Sequence, residues 1–284
     1  MDARHGTAAE ARMRIRLGQW TGPTAGLVPG AVQANLAVVP AAQAEDFERF
    51  CHANPQALPL LEITELGSPI PVRTAPTADL RTDLPRYRVY RYGDLNEERT
   101  EVIDLWTDDL VAFLIGCSFS FDGVLARHRI ALRHVGCGRN VPMYRTSRGA
   151  VPAGVFAGPL VVSMRPVPRS DVDRVTELTR DLRIRLDEQP KTETSPMLEP
   201  RWLEHAAHGP PLWIGSPEGL GIHDLQHPDY GDPVPIHPDD VPVFWACGVT
   251  AQAAAQRSGI PLMIAHAPGH MFLTDLRVEI MGIA

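Results

Sequence analysis

Two segments of the 284-residue chain share one pattern: Phe113-Leu114-Ile115-Gly116-Cys117-Ser118-Phe119-Ser120 and Val243-Phe244-Trp245-Ala246-Cys247-Gly248-Val249-Thr250. Each is an apolar run, then Cys-x-x-Ser/Thr, then a helix start, at Asp122 and at Ala251. A thiol just before a helix N-terminus lies among unpaired N–H donors, which lower its pKa and favour a bound anion. Cys117 and Cys247 are therefore candidate catalytic thiols. The hydroxyls of Ser118, Ser120 and Thr250 would cap those helices or bind a carboxylate. The plainer alternative is that buried cysteines are small core residues.

Histidine supplies the second chemistry. Seven of the 11 histidines, namely His205, His208, His223, His227, His237, His266 and His270, lie in the last 80 positions. In Ala265-His266-Ala267-Pro268-Gly269-His270-Met271 a Pro-Gly break separates two imidazoles just after an expected strand. Either His266 or His270 would act as the acid/base group, with Asp275 as its orienter. Asp224, Asp229 and Asp232 are conceivable oxygen donors to a divalent cation, but turn chemistry accounts better for their Asp/Pro/Gly loop. Arginine is the third group. Arg133, Arg145 and Arg165 fall at the ends of expected strands, where a guanidinium can grip a carboxylate bidentately.

Composition narrows the field. Lysine and arginine total 27 against 34 acids, a formal charge of −7, and 26 of the 27 cations are arginine. The single lysine, Lys191, lies in a polar loop, which excludes a sheltered Schiff-base lysine and a Walker-type phosphate loop. The acidic balance argues against a nucleic-acid partner. Four cysteines without a Cys-x-x-Cys pair argue for reduced thiols and a cytoplasmic setting. The uncharged stretch from Leu17 to Ala44 is broken by Pro23, Pro29 and Pro40, too early to form a membrane span or a signal segment.

The elements that must position these groups follow from periodicity. Helices are expected at Ala8 to Leu17, from Pro40 to Asn54-Pro55, at Ala251 to Arg257, and after Thr107 as a cap. Another would start at Ser170 and carry Val172, Val175, Leu178, Leu182 and Leu186 on one face. Strands are expected at Gln33–Val39, Leu58–Ile63, Tyr87–Tyr92, Ile130–Val135, Val141–Thr146, Pro159–Pro166, Leu212–Gly215, Val243–Cys247 and Leu262–His266. Short buried strands alternating with helices indicate the α/β class. The expected architecture is a three-layer α/β core from residues 1–125 and 206–284, with a smaller inserted α+β domain at 126–205.

Taken together, these segments resemble a known family. The stretches that carry the likeness include Gln33-Ala34-Asn35-Leu36, Asp46-Phe47, Pro59-Leu60-Leu61-Glu62, Gly116-Cys117-Ser118-Phe119-Ser120-Phe121 and Arg133-His134. They continue with Val141-Pro142-Met143-Tyr144-Arg145-Thr146, Val161-Val162-Ser163-Met164-Arg165-Pro166, His208-Gly209, Val243 to Thr250, and His266 to Met271. The pattern is similar to a bacterial hydro-lyase family related to the mitochondrial D-glutamate cyclase. The resemblance implies a cytosolic α/β enzyme that dehydrates D-glutamate to 5-oxo-D-proline, and it adds Tyr144 to the substrate-contacting set. Such a reaction needs an acid/base group, an anion clamp and donors for a tetrahedral oxyanion. His266 or His270, the three arginines, and backbone N–H groups after Cys117 and Cys247 would fill these roles. No cofactor is evident, a divalent cation is left open, and the partners expected are a small acidic substrate and at most further copies of the chain. Two other readings stay open: a cysteine-pair racemase or epimerase, suggested by the paired thiols, and a carboxylate-binding regulatory protein without turnover.

Overall fold

In chain order the elements are α1 (Ala8–Arg16), β1 (Ala31–Pro40), α2 (Ala41–Ala53), β2 (Leu60–Ile63), β3 (Tyr87–Arg91), β4 (Asp94–Arg99), β5 (Leu110–Gly116), α3 (Phe119–Arg127) and α4 (Arg133–Gly136). They continue as β6 (Met143–Gly149), β7 (Pro159–Pro168), α5 (Val172–Arg180), β8 (Leu182–Leu186), β9 (Arg201–Glu204), β10 (Trp213–Ile214), β11 (Asp240–Ala246), α6 (Thr250–Ser258), β12 (Met263–His266) and β13 (Phe272–Ile280). The structure is a computed structural model that describes residues 6–180, 182–186, 201–204 and 208–280. Lys191 and His205 lie outside the described residues.

Helices and strands are mixed, as expected, and every described strand pairing is antiparallel. One sheet is centred on β1, which pairs with β5 on one side and with β12 and β13 on the other. The second runs β10-β11-β7-β6. Sheet membership crosses the 126–205 division, because β6 and β7 share a sheet with β10 and β11, and β8 pairs with β13. Three local expectations change. Ile130–Val135 forms no strand and instead leads into α4. The helix from Ser170 stops at Arg180 and gives way to β8. Thr107 caps no helix, since β5 already begins at Leu110.

Both faces of β1 are buried. Val32, Ala34, Leu36 and Val38 pack with Phe121, Val124 and Leu125 of α3 and with Trp245. Ala37 and Val39 pack with Phe47, Phe50 and Cys51 of α2 and with Ala251, Ala254 and Ala255 of α6. Each fully buried Val, Leu or Phe stabilises the fold by about 1.5–3 kcal/mol relative to exposure. Helix α2 begins at Pro40 and ends at Asn54, whose side chain donates to the Phe50 and Val151 carbonyls at 2.9 and 2.8 Å.

The chain contains an internal repeat wider than the two cysteine segments. Each position of β1 matches the one 128 residues later in β7, so Gln33 matches Val161 and Pro40 matches Pro168. Ala34 pairs with Gly116 and Phe272, and Val162 pairs with Ala246 and Tyr144. At the far ends the Ala41 N–H donates to Asp109 O at 2.7 Å and the Arg169 N–H to Asp239 O at 2.9 Å. Thr146 donates to the Leu160 carbonyl and Thr274 to the Val32 carbonyl, both at 2.8 Å. The third strand of each unit is exchanged: β6 follows α3 but pairs with β7, and β13 follows α6 but pairs with β1.

Candidate active site

The exchanged strand against β1 is interrupted at the histidine pair. Ala265 pairs with Ala37 and Phe272 with Ala34, so seven steps on one strand face three on the other. The surplus forms the loop Ala267-Pro268-Gly269-His270-Met271, and it leaves Leu36 without a backbone partner on that side. The His266 imidazole fills the gap. Its Nδ1 lies 3.2 Å from the Leu36 N–H and 3.3 Å from the Leu36 carbonyl oxygen. Nε2 is buried with no hydrogen-bond partner among the described residues. Burial holds the His266 pKa down at about 4, outweighing the Leu36 contact, so the ring is neutral. His270 is half-buried; its Nδ1 is 3.1 Å from the Pro268 carbonyl, and burial lowers its pKa as well. Gly269 has φ +84°, and a Cβ there would lie 2.3 Å from the Asn140 amide nitrogen. That amide donates to the Pro268 carbonyl at 3.0 Å, so the loop is pinned from the facing unit.

Two glutamines of α6 connect the His266 backbone to Arg145. On α6, Gln252 and Gln256 stand four residues apart and share a face. The Gln252 amide donates to the His266 carbonyl at 2.8 Å and accepts from the Tyr90 hydroxyl at 2.9 Å. Gln256 accepts from Arg145 Nη2 at 2.5 Å, and Arg145 also donates to the Tyr230 hydroxyl at 2.7 Å. Asp229 is 4.0 Å from the Arg145 guanidinium. Arg145 is thus an exposed cation held mainly by neutral partners, on the same side of α6 as the histidine pair. Tyr90, Tyr230, Gln252 and Gln256 were not among the sequence candidates. The Gln252/Gln256 spacing on an otherwise alanine-rich helix was the available signal.

Cys117 and Cys247 meet in one buried cluster with Met143, Met271, Val161 and Val249, and Tyr230 packs against its edge. The sequence argument for low thiol pKa values fails here. Burial raises Cys247 to about 11 and Cys117 further, against the 3.5 Å contact from the Phe119 N–H to the Cys117 sulfur. Both thiols are neutral. The two units differ beside them: a Cβ on Gly248 would lie 2.2 Å from Asn35 Nδ2, which donates to the Gly116 carbonyl at 2.7 Å. The matching positions in the other unit are Ser118 and Ser163, and both hydroxyls accept from Arg165.

Several other candidates are committed to the fold. Arg165 is buried, bonds Asp122 at 2.8 and 3.2 Å, and stacks on Phe121 and Trp245. Arg165 and His134 hold the Asp122 carboxyl low against its burial. Arg133 forks onto Asp240 at 2.9 and 3.1 Å. Asp275 pairs with Arg12 at 2.8 Å and orients neither histidine. Ser120 and Thr250 each accept a strand N–H, from Gln33 and Val161, at 3.0 Å. Tyr144 is buried and donates to the Leu225 carbonyl at 2.7 Å. Asp224 accepts the Gln226 N–H two residues on, as a turn residue does, whereas Asp229 and Asp232 accept the distant Arg145 and Asn140 N–H groups and tie their loop to β6 and the segment before it. His208 is fully buried with φ +73°; its Nδ1 is 2.8 Å from the Gln56 carbonyl, and its Nε2 has no partner among the described residues. No helix among the described residues is long and apolar enough to cross a membrane.

With this geometry in place, comparison with known proteins is informative. The family model described as D-glutamate cyclase matches residues 111–190 and 184–275. A protein of Rubrobacter xylanophilus named "Putative hydro-lyase" is 52% identical over 270 residues, covering 95% of this chain and 96% of the relative. Similarly named proteins are 48% identical in Geobacillus kaustophilus, covering 98% of this chain and 97% of the relative, and 47% in Stutzerimonas stutzeri, covering 97% and 96%. A solved nitrogen repressor-like protein from Methanococcus jannaschii aligns over 95% of this chain and 99% of its own, at TM-score 0.36 and 11% identity, too distant to support an argument.

Proposed function

The chain belongs to the D-glutamate cyclase family, and from that premise we propose that it is a hydro-lyase converting D-glutamate to 5-oxo-D-proline and water at the His266–His270 loop. The observation that carries this reading is the pair of neutral imidazoles with differently committed nitrogens. His270 Nδ1 donates to Pro268, which leaves a lone pair on Nε2; His266 Nδ1 is held by the Leu36 peptide, and its Nε2 has no partner among the described residues. Closing the ring moves two protons from the α-ammonium to the departing γ-oxygen. The nitrogen attacks the γ-carbon, the C–N bond forms, and the C–O bond breaks with loss of water. His270 takes the protons from nitrogen one at a time as base and returns each to the departing oxygen as imidazolium, while His266 stays neutral and donates a hydrogen bond from Nε2 to that oxygen. Because Leu36 offers both a donor and an acceptor to Nδ1, His266 keeps a partner in either tautomer. Arg145 holds a substrate carboxylate. Incubation with D- and L-glutamate, followed by mass spectrometry of 5-oxoproline, tests the proposal; no product from either enantiomer overturns it.

One observation favours a second reading. The two thiols stand at matching positions of the repeat and share one cluster, the placement a two-base racemase requires. Their raised pKa values oppose it, because the base would have to be a thiolate. Exchange of the α-proton with deuterated solvent occurs in racemisation and not in cyclisation through nitrogen.

A further inference from the structure

A cleft of about 390 Å³ runs between the loop before β1 and the outer face of α3, and one of its walls, Phe119, packs with Met271 of the histidine loop. Its walls are apolar: Val28, Pro29, Phe119, Ala126, Leu132 and Val135. Val135 is 41% exposed, an uncovered apolar surface at this point. Arg127 and Gly30 line one end, and the Arg277 guanidinium reaches Gly30 from outside that lining; both arginines are exposed. A Cβ on Gly30 would lie 3.4 Å from Arg277 Nη2 and 3.7 Å from Arg127 Nη1, so these nitrogens are no more than about 7 Å apart. Neither guanidinium has a carboxylate partner among the described residues. Asp122 also lines the cleft, but Arg165 and His134 already occupy its carboxylate.

Like charges this close repel, the more so where the cleft excludes water. An anion between them converts that repulsion into two charge-assisted contacts. We propose that this cleft binds an amphipathic organic acid, its carboxylate between Arg127 and Arg277 and its apolar body along Val28, Leu132 and Val135. Small-molecule sites combine apolar walls with a few placed polar groups in this way. None of these residues belongs to the histidine loop, so binding here does not depend on glutamate turnover.

The test is calorimetric titration of the full chain with hexanoate, acetate, hexanol and inorganic phosphate. Hexanoate is expected to bind saturably at one site, with acetate, hexanol and phosphate each weaker by roughly tenfold or more. Arg127→Gln with Arg277→Gln should cost hexanoate at least about tenfold. Ala126→Phe, which fills the cleft and leaves both arginines, should do the same. Absence of saturable hexanoate binding, acetate or phosphate binding as tight as hexanoate, or unchanged binding in the double variant would overturn the proposal. The wild-type ligand series decides the matter should a variant not fold, and it reads binding alone, so its failure is separate from a failure to form 5-oxoproline.

Discussion

His266 stands in for a missing strand partner of Leu36, with its Nδ1 3.2 Å from the Leu36 N–H and 3.3 Å from the Leu36 oxygen. The same contact that fills the gap in the sheet fixes the ring and leaves Nε2 free. His266→Asn retains a polar group near Leu36 and removes Nε2. We expect 5-oxoproline formation to fall by about 10²–10³-fold, the usual worth of one donor to a developing oxyanion. The loss of stability should stay near 1 kcal/mol, the worth of one hydrogen bond. Initial rates and urea melts measure the two effects, and activity within twofold of wild type would remove His266 from the mechanism.

Stability should fall with acid in a window set by two buried histidines. His208 and His266 are both held near pKa 4 by burial, against an ordinary value of 6.5. Between these values the unfolded chain binds protons that the folded chain refuses, so stability is full above about pH 6.5 and declines as pH drops toward 4. Each histidine accounts for on the order of 3 kcal/mol across that window. Denaturant midpoints at half-unit pH steps measure the slope, and replacing both histidines by asparagine should flatten it.

Asn35 and Gly248 form a matched pair, and the repeat indicates what would replace them. Gly248→Ser places a Cβ 2.2 Å from the Asn35 amide nitrogen and should destabilise by about 1–3 kcal/mol, as overpacking does. The other unit has Ser163 and Ser118 at these positions. Asn35→Ser combined with Gly248→Ser should therefore recover part of the loss. A double variant no more stable than Gly248→Ser would show that the two units are not interchangeable here.

Alkylation distinguishes the four cysteines. Cys137 is exposed, whereas Cys51, Cys117 and Cys247 are buried, with burial pushing all three thiols up. Iodoacetamide at pH 8 should add one label per native chain, located at Cys137 by peptide mass spectrometry. Rapid labelling of Cys117 or Cys247 would mean a thiolate is accessible and would revive the racemase reading.

The candidate site was legible where its signal was local. The strand–cysteine–helix echo marked one end of the repeat, and the Pro-Gly break between two histidines marked the loop. The rest of the repeat was equally local but faint: Met143-Tyr144-Arg145-Thr146 and Met271-Phe272-Leu273-Thr274 share a methionine, an aromatic ring and a threonine. What could not be read was pairing at a distance. Arg133 and Arg165 have the form of anion clamps, but their anions are Asp240 and Asp122, remote in sequence. Leu182 and Leu186 continue the helical spacing of Val175 and Leu178. They also bracket Leu-Arg-Ile-Arg-Leu, whose alternation is the strand period, and pairing with β13 decides for the strand. Antiparallel and parallel sheets present similar short buried runs, so class was accessible and strand direction was not.

The most direct measurement uses D-glutamate carrying oxygen-18 on both γ-carboxylate positions. Dehydration at the γ-carbon yields 5-oxoproline that retains one labelled oxygen and releases the other as water, with the α-hydrogen still in place after turnover in deuterated solvent. Glutamate recovered with both labels, deuterium at the α-carbon and no 5-oxoproline would contradict the account.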